Sequence, residues 1–169
     1  TLLLEQYGFL GGMATAALVG PISKFNFRRE RIIRGIPEEF INNMAHKGGA
    51  IIDLPSGNIP YDPEIYKRVS MDMSEEAGAD MLLHANVVGC MEEPDRPGRI
   101  THILIENKSG RQAIATKFVI DCTGTGDIIS RSSVSWEMRN MKDGNLQPMS
   151  LYFRLGGVDT TALTLMAAE

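Results

Sequence analysis

The sequence predicts an α/β fold, and three observations carry that reading. Phe118-Val119-Ile120 reads as a buried parallel strand that runs into the glycine-punctuated turn Asp121-Cys122-Thr123-Gly124-Thr125-Gly126-Asp127. Buried parallel strands are near-continuous apolar runs, and ligands in open α/β sheets bind just beyond their carboxyl ends. The second observation is the opening Thr1-Leu2-Leu3-Leu4-Glu5, a short apolar run closed by an acid. The third is the alternation of helix-start signals with apolar runs between residues 36 and 120.

Each element follows in chain order. The run 14–20 is small and apolar, and Pro21 closes it. Pro37-Glu38-Glu39 has the proline and first-turn acids of a helix start, Phe40, Ile41 and Met44 supply its apolar side, and Gly48-Gly49 ends it. Residues 51–60 read as a loop with turn chemistry at Pro55-Ser56-Gly57-Asn58. Asp62-Pro63-Glu64 starts a second helix with Asp62 as N-cap. Ile65, Val69, Met73 and Ala77 mark its buried face, and Gly78 stops it. Residues 81–91, 100–106 and 111–120 read as strands, with residues 93–98 as an exposed turn and Lys108-Ser109-Gly110 as the next. Short loops between them predict a three-stranded antiparallel meander whose last strand returns to the parallel sheet. Ile128 opens what reads as a helix, with Asp127 as its cap. Residues 134–144 read as polar and irregular, 149–155 as a strand and 160–168 as a helix.

Composition sets bounds on function. Hydrophobic residues are 43% and charged residues 22%, the usage of an ordinary globular domain. The formal net charge of -4 argues against nucleic acid as a partner. Arg28, Arg29, Arg31 and Arg34 form one basic cluster, read first as solvated surface and alternatively as a contact for an anionic substrate. No apolar run is long enough for a membrane span and no secretory signal pattern is present, so a cytoplasmic protein is expected. Cys90 and Cys122 do not make a C-x-x-C motif and are expected to be small buried hydrophobes in strands. His46, His84 and His102 have no ligand spacing, so no metal site is expected.

In a dinucleotide-binding βαβ unit the second strand ends in an acid that accepts hydrogen bonds from the ribose hydroxyls, a task that suits a carboxylate. Glu5 has that position, and Tyr7-Gly8-Phe9-Leu10-Gly11-Gly12-Met13-Ala14-Thr15 follows it. The run resembles FAD-dependent oxidoreductases of the broad glutathione-reductase/fumarate-reductase-like class. It is most similar to the bacterial FAD-dependent oxidoreductase family with a G-F-L-G-G-x-x-T segment after the ribose-binding Glu. Val119-Ile120-Asp121-Cys122-Thr123-Gly124 is similar to that family's I-D-A-T-G-D-x-D run. Gln147-Pro148-Met149-Ser150-Leu151-Tyr152-Phe153-Arg154-Leu155 is similar to its Q-P-x-S-x-x-F-R-L segment.

The resemblance implies a partial Rossmann-like FAD-binding domain over residues 1–133 and the start of a substrate or cap domain over 134–169. It implies that Glu5 holds the ribose, that Gly11 and Gly12 let a loop pass close to FAD, and that Thr15 sits toward the flavin. Thr123 and Gly124 would line the cofactor through their backbone, and Val87 would lie beside the adenine, although packing explains Val87 equally. The catalytic residues and the small-molecule substrate are not assigned. The family's G-x-G-x-x-G turn and first strand precede the acidic strand, and neither stands in this sequence. The chain is therefore expected to be an internal fragment that alone retains no stoichiometric FAD, shows no turnover and dimerises through an uncovered sheet edge. The alternatives are a non-catalytic chain that binds no cofactor and an NAD-binding Rossmann-type domain, since the same acid suits NAD.

Overall fold

A computed structural model describes residues 1–28, 30–137, 148–159 and 161. The elements are β1 (Leu2–Leu4), β2 (Asn26–Phe27), β3 (Glu30–Arg31), α1 (Ile36–His46), α2 (Pro63–Glu76), β4 (Asp80–Leu82), β5 (Asn86–Glu93), β6 (Arg96–Asn107) and β7 (Gly110–Ala115). Single 3-10 turns cover Gly12–Ala14 and Ile129–Arg131.

Both helices start where local chemistry places them. Pro37 lies in the first turn of α1 with Glu38 and Glu39. The Asp62 carboxylate accepts from the Glu64 amide at 2.7 Å and caps α2. Acids there also complement the partial positive charge of a helix N-terminus. Ile41 and Met44 from α1 and Val69 from α2 form a fully buried core with Phe25 and Ile59, against which Phe40, Ile65 and Met73 pack. The β2–β3 ribbon beside this core was not foreseen, because two-residue strands leave no periodicity to read.

β1 pairs in parallel with β4, Leu2 opposite Asp80 and Leu4 opposite Leu82. β5, β6 and β7 form the expected antiparallel meander in that order. Its core of Ala85, Ile103, Ile105 and Ile128 is joined by Leu4, Leu82, Val87, Cys90 and Val119. Val87 pairs with Ile105 and Gly89 with Leu104, so Val88 is an extra residue in the ladder, a β-bulge that bends the strand.

Several expectations are corrected. Residues 81–91 are not one strand: the chain leaves β1 after Leu82, and Ala85 donates to Glu5 O at 2.9 Å before β5 begins. The connection between β5 and β6 is only residues 94–95, since Glu93 already pairs with Arg96. β7 stops at Ala115, and 118–120 is not a buried parallel strand. Phe118 and Ile120 are 90% and 86% exposed, while Val119 reaches the core. No described strand lies alongside to complete a ladder, so the apolar run alternates in and out as an unpaired extended segment. Cys122 is accordingly exposed, and Cys90 lies in β5 as expected but is only half-buried. Residues 149–155 are exposed and carry no strand, and no described strand pairs with them. The expected helix over 160–168 lies, apart from Thr161, outside the described residues.

Candidate functional site

Glu5 stands at the carboxyl end of β1, where its amide donates to Leu82 O at 3.1 Å. One carboxylate oxygen accepts from the Tyr7 amide at 2.9 Å, which holds the side chain at the strand end. Beyond it Tyr7 stacks on Phe9, ring centroids 5.7 Å apart, and Lys67 Nζ lies 4.1 Å from the Phe9 centroid.

The Gly11–Gly12 segment turns away from this end. Gly11 has φ +114, and a Cβ there would stand 2.6 Å from Thr15 Cγ2. Only glycine fits such a site without strain. Gly12, at φ +47, is different: nothing lies within 4 Å of where its Cβ would be, so its backbone is open to close approach. Thr15 is 3% exposed, and its hydroxyl donates to Leu10 O at 2.9 Å. It therefore closes the loop from within.

The Asp121–Asp127 turn is organised by Asp121. Its Oδ1 accepts from the Thr123 amide at 3.1 Å and the Thr123 hydroxyl at 2.7 Å. Its Oδ2 accepts from the amides of Ile128 at 3.0 Å and Ile129 at 3.1 Å. Burial opposes ionisation of Asp121, but these hydrogen bonds outweigh it and hold the carboxyl below the usual carboxylate range. This corrects the expectation that Asp127 is the cap; Asp127 pairs instead with Arg131 at 3.1 Å. The helix expected from Ile128 is a single 3-10 turn. Gly124, at φ +77, has open space around its Cβ position, and Thr123 and Gly124 are both exposed at the tip of the loop.

The Glu5 strand end and the Asp121–Asp127 turn both border one apolar core. Leu4, Ala85, Val119 and Ile128 share it, and Val87 packs into its flank. The Gly11–Gly12 loop belongs to the helical side, through contact with Tyr66 of α2. Sequence reasoning missed Asp121 as the organiser. Its signal was present, because an Asp opening a glycine-punctuated turn can accept from the backbone amide two residues on, as an Asx-turn does.

Two arginines of the basic cluster, Arg31 and Arg34, share a single carboxylate. Glu38 lies 3.9 Å from Arg31 and 3.0 Å from Arg34, and Arg31 also donates to Ile52 O at 2.7 Å. Arg31, Arg34 and Asp53 line an open groove of about 720 Å³. Among the described residues no helix is long and apolar enough to cross a membrane, and no three His, Cys, Asp or Glu converge on a common point.

A parallel strand pair ending in an acid, a helical layer and a meander define a Rossmann-like α/β domain. The chain belongs to the FAD dependent oxidoreductase family, whose sequence profile matches residues 1–168. No curated protein matches it. Among solved structures it is similar to Thermovibrio ammonificans THI4, with a TM-score of 0.52 and 16% identity over 77% of this chain and 50% of that one. The chain thus spans about half the length of that protein, and the likeness is one of fold.

Proposed function

We propose that this chain supplies part of the FAD site of an oxidoreductase acting on a small molecule. Membership in the FAD dependent oxidoreductase family supports a redox role. The observation that carries the finer reading is the shared core under the Glu5 strand end and the Thr123-Gly124 loop tip. That core underlies both an acceptor-only carboxylate at the carboxyl end of β1, where ligands of α/β folds bind, and an open backbone at the tip of the Asp121–Asp127 loop.

Glu5 accepts hydrogen bonds from the ribose hydroxyls. Gly12 offers an approach unhindered by a Cβ, with Gly11 and the buried Thr15 fixing its loop. Thr123 and Gly124 line the cofactor through backbone atoms, and Val87 flanks the adenine. Gly12 and Gly124, both with empty space where a side chain would stand, fit a group that must come close to the main chain. Flavin, when bound, supplies the hydride and electron chemistry, and the protein binds and orients it.

Absorption spectroscopy of the purified full-length protein tests the reading. A flavin band whose extracted chromophore is FAD is expected. A colourless protein that gains no band on addition of FAD would overturn it.

A further inference from the structure

The loop between Gly11 and Gly20 folds back on itself, with Gly12 O accepting from the Ala16 amide at 2.8 Å and Met13 O from the Val19 amide at 2.9 Å. One residue resists this shape: Leu18 has φ +56, in the left-handed region that L side chains rarely occupy. A conformation of that kind persists only where the surroundings over-determine it.

The outside hold comes from Tyr61, far along the chain, just before α2. Its phenol lies 2.9 Å from Ala14 O and also reaches Val19 O, the residue next to Leu18. One hydroxyl has one proton to donate, so both carbonyls share it and both flanks of the loop are tied to a single atom. The ring is fixed in turn: Tyr61 packs on Tyr66 at 5.3 Å between centroids, and Tyr66 meets Phe40 edge-on at 4.6 Å. The loop ends are shaped to these rings. A Cβ on Gly20 would stand 3.2 Å from Tyr61, and one on Gly11 would stand 2.9 Å from Tyr66. Burial first, then the neighbouring Tyr66, pushes the Tyr61 phenol up against the opposing pull of Arg154, which keeps the proton in place.

We propose that Tyr61 is a positioning residue: its hydroxyl fixes the Gly11–Gly20 loop and so the open face at Gly12 and exposed Met13 that the cofactor meets. The proposal rests on the reading above that this loop borders FAD. Tyr61 touches no part of that face itself and acts through the backbone of Ala14 and Val19.

Tyr61→Phe in the full-length protein is the test, since it keeps the ring and its contacts with Tyr66 while deleting the shared proton. Amide exchange over residues 13–19 should quicken about tenfold, with α1 and α2 unchanged. The FAD dissociation constant should rise roughly three- to tenfold, with an altered visible flavin spectrum and little change in the apoprotein's melting temperature. Unchanged exchange in the loop would overturn the latch. Faster exchange with unchanged FAD affinity and spectrum, in a protein where Glu5→Ala does weaken FAD, would overturn the positioning role alone. If neither variant alters FAD binding, the assignment of the site falls and the positioning role with it.

Discussion

The Asp121 carboxylate lies 3.0 Å from the Ile128 amide, closing the glycine-rich turn across seven positions of chain. Its folded pKa is lowered, so the ionised form is what the fold prefers. The stability this contributes is fully present above the unfolded carboxylate value of about 3.9 and is lost as pH falls through the lower folded value. Asp121→Asn should cost on the order of 1 kcal/mol at pH 7, as for loss of a helix cap. Urea titrations from pH 7 down to acid should show the two proteins converging below about pH 4. A constant offset at every pH would show that the carboxylate charge is not what closes the turn.

Met44 and Ile41 are fully buried between the helices. Met44→Ala leaves a cavity that the packed neighbours fill only in part, so a loss of roughly 2–5 kcal/mol is expected. Met13, 67% exposed, provides the contrast, and Met13→Ala should stay within about 0.5 kcal/mol. Urea midpoints of the two variants measure the difference. Equal midpoints would mean that the helical layer does not form the core described.

What was legible in the sequence was local. The Pro37-Glu38-Glu39 and Asp62-Pro63-Glu64 starts are chemistry within one turn, and both helices begin there. The meander was legible because its turns are short and its strands neighbours in sequence. The break at 83–85 was not, because His84 and Asn86 are single polar residues in an otherwise apolar stretch, as a half-exposed strand also carries, while the chain changes partner from β1 to β6. That change is fixed by bonds from His84 and Ala85 to Tyr7 and Glu5, far away in sequence. Residues 118–120 misled for the converse reason: apolar character was present, but no described strand pairs with it. Asp121 and Asp127 both had cap chemistry, and only the geometry chose between them. Tyr61 carried no local signal at all, since its partners at Ala14 and Val19 are backbone atoms of a distant loop.

Glu5 makes its one described side-chain bond to the Tyr7 amide, and its carboxylate has two oxygens. In the full-length protein Glu5→Ala should weaken FAD binding by roughly 1–3 kcal/mol through loss of charge-assisted hydrogen bonds. Glu5→Gln, which keeps one acceptor, should fall between. Fluorescence titration of the apoprotein with FAD measures all three. Identical affinities across the series would remove Glu5 from the site.

Gly11 and Gly12 are adjacent yet should fail in different ways. At Gly11 the φ of +114 and the nearness of Thr15 and Tyr66 make any side chain a structural fault. Gly11→Ala is expected to cost about 1–3 kcal/mol of fold stability, because Thr15 is buried and cannot move aside cheaply. At Gly12 a side chain meets nothing, and only the left-handed backbone resists, for about 1–2 kcal/mol. On the proposed reading of the site, its side chain would, however, stand in the space through which FAD approaches the loop. Gly12→Val should therefore lower FAD affinity more than tenfold, beyond what its modest loss of stability explains. Parallel urea and FAD titrations of both variants separate the two effects. A Gly12→Val protein that binds FAD as tightly as the unaltered one would place the cofactor away from this loop.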